Sequence, residues 1–212
     1  MDIMQLFLTG ILFMAFALVA AKRLDAIIGA FRAQSFFLFL ATLYMAVRAG
    51  DAEIYIIAFL LLSVKVIAIP YILSRMVKRI RTEGTAGLFV NPTVSIFIAI
   101  LLTYISYLFT GRMPLADRAQ GEAVIISLSV TLIGLFMMVS RMKAVSQIVG
   151  LLVMENGLFL VASSVSGGMP FFVEIAIFFD VFVCVIILGM FVYKINKVFT
   201  HIDVNKMREL KG

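Results

Sequence analysis

Seven long apolar windows, separated by short polar breaks, make up almost the whole chain. A helix needs about 20 apolar residues to cross the hydrocarbon core of a bilayer. Turn-forming residues mark the breaks, among them RAGDAE at 48–53, Asn91-Pro92 and SGGMP at 166–170. The pattern predicts an all-α, polytopic transmembrane protein of about seven helices, forming one integral membrane domain over 1–212. The windows are 3–21, 26–47, 53–74, 92–110, 123–140, 145–166 and 170–193.

The composition supports a membrane location and argues against several kinds of metal site. Hydrophobic residues make up 63% of the chain and charged residues 14%, with a mean hydropathy of +1.13. Soluble domains are nearer half apolar and a quarter charged. With Cys184 and His201 as the only residues of their types, no zinc, iron–sulfur or bis-histidine haem site can be assembled. We therefore expect no cofactor in this chain and no catalytic set of its own.

The basic residues predict an orientation. Arg48, Arg112 and Arg118 fall on one side of the predicted helices, while thirteen basic residues fall on the other. Because cytoplasmic loops collect Lys and Arg, the bias places the N-terminus outside and the C-terminus in the cytoplasm. It also accounts for the net charge of +6, so we expect lipid around the helices and no nucleic acid. The thirteen are Lys22, Arg23, Arg75, Lys78, Arg79, Arg81, Arg141, Lys143, Lys194, Lys197, Lys206, Arg208 and Lys211.

The first and last thirds of the chain resemble one another. IIGAFRAQSFFLFLA (27–41) superposes on IVGLLVMENGLFLVA (148–162), with Gln34 opposite Glu155. The same offset also matches Lys22 with Lys143 without a gap. The match predicts two parallel three-helix units, 1–80 and 123–212, joined by a linking helix and loops at 81–122.

Four charged residues lie well inside the predicted helices: Arg32, Lys65, Glu155 and Asp180. Each costs about 2.5–3.5 kcal/mol at the centre of a membrane helix, so each needs a compensating partner or a function. Static pairing would join Glu155 to Lys65, or Asp180 to Arg32. Alternatively, the carboxylates form a proton or ion path, because a buried carboxylate can exchange a proton near neutral pH. A relay could use the same pairs, so both interpretations stay open.

Other polar residues are candidates for accessory roles. Glu53 and Glu174 lie near the outer interface, where acids at a helix N-terminus complement the helix dipole. Pro70 removes one backbone hydrogen bond five residues after Lys65 and frees a carbonyl that water in a cavity could satisfy. Four further side chains are expected to extend a polar seam beside the charges: Asn156, Gln34, Gln147 and Ser63.

The stretch QIVGLLVMENGLFLVA (147–162), followed by a helix with Asp180 and the tail HIDVNKMREL, resembles the hydrogenase-4 component E family. Residues 123–212 are similar to the K subunit of respiratory complex I and the C subunit of Mrp-type antiporters. In those relatives a glutamate lies mid-helix in a G-L-x-x-x-E-N-like context, and a second acid lies midway along the next helix. Glu155 matches the first acid. Asp180 matches the second, as Asp where the complex I subunit has Glu.

This resemblance implies a non-catalytic membrane-arm subunit of a formate hydrogenlyase-like, energy-converting hydrogenase complex in the cytoplasmic membrane. Nickel–iron and iron–sulfur centres would belong to partner subunits, which include antiporter-like membrane subunits and peripheral hydrogenase subunits. Glu155 and Asp180 would exchange protons or Na⁺, with Lys65 as charge partner and Arg32 as a modulator near the cytoplasmic face. Alternatives are a subunit of a complex I or Mrp-type assembly, an independent secondary transporter, or a structural spacer.

Overall fold

The computed structural model describes residues 3–79, 87, 89–113 and 118–166, together with 182, 185, 186 and 189. These residues form helices without strands, as the sequence predicts, and six helices are long and apolar enough to cross a membrane. The predicted seventh helix, 170–193, lies outside the described residues apart from those four positions. The elements are α1 (Ile3–Ala20), α2 (Leu24–Ala49), α3 (Ala52–Leu61), a π-helical segment (Leu62–Ala68), α4 (Ile69–Arg79), α5 (Pro92–Thr110), α6 (Arg118–Ser140) and α7 (Ala144–Ser166).

Local chemistry sets the helix boundaries. α2 ends at Gly50, which adopts φ 66° and donates its N–H to the carbonyl of Ala46. The left-handed conformation is cheap for glycine, which explains the sharp stop. Asp51 then begins α3 by accepting the N–H of Glu53 on its side chain. Pro92 occupies the first turn of α5, where the absence of its N–H costs nothing.

The third membrane span contains an unpredicted π-helical segment. α3, the π-helical segment and α4 follow one another without a break, and the whole span covers Ala52–Lys78. Ile69 donates its N–H to Val64, five residues earlier, and Pro70 follows at once. The segment therefore lies where proline has already removed one α-helical hydrogen bond.

Four helices form the centre of the bundle. α1 packs on α2 and on α6, while α7 packs on α2 and, most extensively, on α6. Their interface is closely packed and apolar, and contains Leu18, Phe31, Ile133 and Leu152. The third span covers α2 from one side, and α5 lies against α6 and α1.

Glycines bring α6 and α7 into backbone contact. A Cβ added at Gly150 would lie 2.8 Å from the backbone nitrogen of Met138, and one at Gly157 would lie 2.8 Å from the carbonyl oxygen of Ser127. Small residues allow membrane helices to approach this closely, and the gain is van der Waals contact. The close approach therefore holds α7, including its middle, against α6 in the bundle.

Candidate functional site: a buried lysine–glutamate pair

Lys65 and Glu155 form an ion pair at the centre of the bundle. Lys65 Nζ lies 2.7 Å from Glu155 Oε1, with side-chain exposures of 1% and 8%. Lys65 is the midpoint of the third span, and Glu155 is equally far from Ala144 and Ser166, about 16 Å by helical rise. The two residues thus meet at the middle of their helices, which is the depth at which the sequence predicted them.

Asn156 links this pair to two more helices. Its Oδ1 accepts a hydrogen bond from Lys65 Nζ at 2.9 Å. Its Nδ2 donates to Gln34 Oε1 at 3.3 Å and, at 3.5 Å, to Ser35 Oγ. We call Lys65, Glu155, Asn156, Gln34 and Ser35 the polar cluster.

The far side of the polar cluster is attached to the backbone of α1. Gln34 Nε2 donates to the carbonyl oxygen of Ile11 at 3.2 Å. The cluster therefore joins α1, α2, the π-helical segment and α7 through buried polar contacts. Because polar groups cost several kcal/mol in hydrocarbon unless they are hydrogen-bonded, these contacts also fix the four helices in one arrangement.

One oxygen of Glu155 has no hydrogen-bond donor among the described residues. Oε1 faces the Lys65 ammonium, whereas no described residue donates a hydrogen bond to Oε2. Glu155 is buried, with 6% of its surface exposed. A buried acceptor without a donor is destabilising and is rare in folded proteins.

Some predicted site residues do not join the cluster. Arg32 is exposed on α2, and Glu53 is exposed at the start of α3, where its N–H is bonded to the side chain of Asp51. Of the two static pairs considered, Lys65–Glu155 is present, while Asp180 and Glu174 lie outside the described residues. The expectation for two other side chains is wrong: Ser63 donates to the carbonyl of Phe59 at 2.9 Å, and Gln147 to that of Arg141 at 2.8 Å.

The sequence reasoning missed the role of Arg141, which it treated as a cytoplasmic loop charge. Arg141 is 1% exposed. Its guanidinium donates to the carbonyl oxygens of Leu18, Val19 and Ala21 at 3.1, 2.7 and 3.0 Å. Leu18 and Val19 belong to the last turn of α1 and Ala21 directly follows the helix, so Arg141 caps the helix end. The Leu18 carbonyl also accepts the N–H of Ala21 at 3.3 Å. Burial lowers the pKa of its guanidinium, yet arginine remains charged in proteins.

Ser35 was also missed, although its neighbour Gln34 was singled out. A serine in a membrane helix is ordinarily bonded to its own backbone, and the sequence contains many such residues. The usable signal was its adjacency to Gln34, directly before the apolar run at 36–41. For Arg141 the signal was the short loop, because only Arg141–Lys143 connects α6 to α7 and Arg141 directly follows the end of α6.

Comparison with known proteins gives one full-length relative. The chain is 30% identical over 210 residues to "Uncharacterized protein Rv0085" of Mycobacterium tuberculosis, covering 97% of this chain and 94% of that protein. The chain belongs to the family of this mycobacterial protein. No family model matches the chain. No solved structure matches it either.

Proposed function

We propose that this membrane protein is a non-catalytic membrane-arm subunit of a hydrogenase-4 or formate hydrogenlyase-like complex. It contributes buried carboxylates to a proton path and packs against antiporter-like subunits. The motif around Glu155 and its resemblance to component E, the complex I K subunit and the antiporter C subunit support the choice of complex. Nickel–iron and iron–sulfur chemistry belongs to partner subunits in this proposal.

The observation that carries the proton-path role is the Lys65–Glu155 pair. A carboxylate and an ammonium at the centre of the bundle are costly, and apolar residues of similar size would often be neutral or more stabilising. A static role does not explain why Glu155 Oε2 has no donor among the described residues. A carboxylate that alternates between charged and neutral forms needs such a free position.

The protein's place in the membrane follows from the charge bias described above. In this proposal it resides in the cytoplasmic membrane, with the N-terminus outside and the C-terminus in the cytoplasm. The exposed face of α5 then contacts lipid or a neighbouring membrane subunit, because Phe97, Tyr104 and Phe109 are each more than half exposed. Asp180, in the following predicted helix, is the second proton-exchanging acid of the path.

Gentle purification from native membranes is the first test. Co-purification with nickel–iron hydrogenase and antiporter-like subunits is expected. Isolation of a single, monodisperse chain that transports by itself would overturn the subunit role and favour a secondary transporter.

The second test measures proton movement coupled to turnover in the purified complex, reconstituted in vesicles. Glu155→Gln removes the titratable carboxylate with little change of size, so we expect assembly to persist and coupled proton movement to fall at least tenfold. Glu53→Gln, at the exposed start of α3, is the matched control and should retain wild-type coupling. Full assembly with normal coupling in Glu155→Gln would contradict the proton-path role and favour a structural spacer.

A further inference from the structure

Two oxygens contact Lys65 Nζ, and both are of the kind that also bind small cations. Glu155 Oε1 lies at 2.7 Å and Asn156 Oδ1 at 2.9 Å. Carboxylate and amide oxygens are the ligands that hard metal cations prefer. In this protein the position between them is filled by the side-chain ammonium of Lys65.

The remaining acceptors of the polar cluster are already occupied. Asn156 Nδ2 donates to Gln34 Oε1 and to Ser35 Oγ, and Gln34 in turn donates to the carbonyl of Ile11. Within the described part of the chain, Glu155 Oε2 is the cluster's one oxygen without a donor or an ammonium partner. A proton needs only one lone pair, and Glu155 Oε2 can provide it without displacement of the Lys65 ammonium.

We infer that Lys65 is a tethered cation that occupies a sodium-like oxygen site and so makes the path selective for H⁺ over Na⁺. A proton binds to Glu155 Oε2, giving a neutral carboxylic acid beside the ammonium, and its loss restores the carboxylate. Na⁺ would have to displace the ammonium, which the span of α3, the π-helical segment and α4 holds at this depth. The inference deepens the proposed function and rests on it for the existence of a path.

Removal of the tether gives a direct test with the full-length protein purified in detergent. Thermal unfolding is compared in NaCl and in choline chloride at equal ionic strength and pH 8. Lys65→Ala vacates the ammonium position and leaves the oxygens of Glu155 and Asn156. If Na⁺ enters, linkage predicts a rise in Tm of roughly 5–10 °C at 100 times the dissociation constant.

Three further proteins serve as comparisons. The wild-type protein and Lys78→Ala, which removes an exposed lysine of the same span, should show the same Tm in both salts. Lys65→Ala combined with Glu155→Gln should lose the sodium response, because the carboxylate is the main ligand. Together these results would assign the response to the position of the Lys65 ammonium.

Two results would overturn the inference. One is stabilisation of the wild-type protein by Na⁺ that Glu155→Gln abolishes, since the ammonium then fails to exclude sodium. The other is a Lys65→Ala variant that folds and ignores Na⁺, since the oxygens then do not form a cation site. If Lys65→Ala folds in neither salt, the wild-type comparison decides, supported by direct binding of radioactive Na⁺. Failure of the path itself is seen separately, as normal proton coupling in Glu155→Gln.

Discussion

Asn156 Nδ2 lies 3.3 Å from Gln34 Oε1, although 122 positions separate the two residues in the chain. The separation is close to the offset that superposes 27–41 on 148–162 in the sequence. Arg141 and Val19, also 122 positions apart, meet at 2.7 Å where α1 and α6 end. Positions one residue away from a match in the predicted repeat are therefore neighbours, both where α2 faces α7 and where α1 and α6 end.

The Gln34–Asn156 contact should be measurable as an energetic coupling. Gln34→Leu and Asn156→Leu each leave buried partners unsatisfied, whereas the double variant removes both sides of the contact. We expect the double variant to be less destabilised than the sum of the singles by about 0.5–3 kcal/mol. Denaturant unfolding in mixed micelles gives the four free energies. Additive effects would show that the two amides are not coupled.

Removal of one member of the ion pair should destabilise the protein more than replacement of both members with apolar residues. Lys65→Met leaves Glu155 buried without its ammonium partner, so we expect a loss of roughly 3–5 kcal/mol in the free energy of unfolding. Lys65→Met with Glu155→Leu should recover most of that loss, because both charges are gone. In the assembled complex the double variant should still lack proton coupling. Recovery of coupling along with stability would contradict the path.

Arg141→Met should destabilise the protein through the end of α1. The substitution leaves the carbonyls of Leu18, Val19 and Ala21 without the guanidinium, and we expect a loss of roughly 2–4 kcal/mol. Arg23→Met is the matched control, since the Arg23 side chain is 76% exposed beside Asp25, and it should change stability little. Equal effects of the two substitutions would mean that the cap contributes nothing.

Glycine-to-alanine substitutions should separate close packing from helix propensity. Gly150→Ala forces α6 and α7 apart and should cost about 1–3 kcal/mol. Gly29→Ala, in α2, meets no atom within 4 Å and should be neutral or mildly stabilising, as expected from the helix propensity of alanine. The unfolding midpoint of each variant is the measurement. A destabilising Gly29→Ala would point to an effect other than packing.

Arg32→Gln tests the exposed member of the predicted charge set. Because Arg32 is exposed, we expect a change within about 0.5 kcal/mol in the isolated protein. Its role as a modulator of the path is tested in the complex, where a partner subunit can cover that surface. Wild-type proton coupling there would remove Arg32 from the path.

The sequence predicted the helices well because their signal is one of length and hydropathy. The window 92–110 matches α5 without error, and 145–166 differs from α7 by one residue. The window 53–74 stops short of the α4 end, because Arg75 and Lys78 lower the local hydropathy although the helix continues. Backbone geometry within a helix leaves little trace in hydropathy, so the π-helical segment was not predicted.

The sequence predicted the site residues that are energetically costly to bury in a membrane. A lysine and a glutamate at mid-membrane depth had to find partners, and each found the other. Arg32 shows the limit of this reasoning, because depth along a helix does not reveal which face a side chain occupies. Arg141 shows the converse, since a residue at a helix boundary can be more buried than one within a span.

The π-helical segment also affects where the chain can lose one residue without a change in helix packing. One residue corresponds to about 100° of rotation in an α-helix, and a π turn accommodates one residue more than an α turn. A single deletion within Leu62–Ala68 could be absorbed by a return to α-helical geometry, leaving α3 and α4 in register with α2. The same deletion within Ala52–Leu61 would instead turn the preceding helix face away from α2. Relatives that lack one residue here should therefore have lost it beside the lysine.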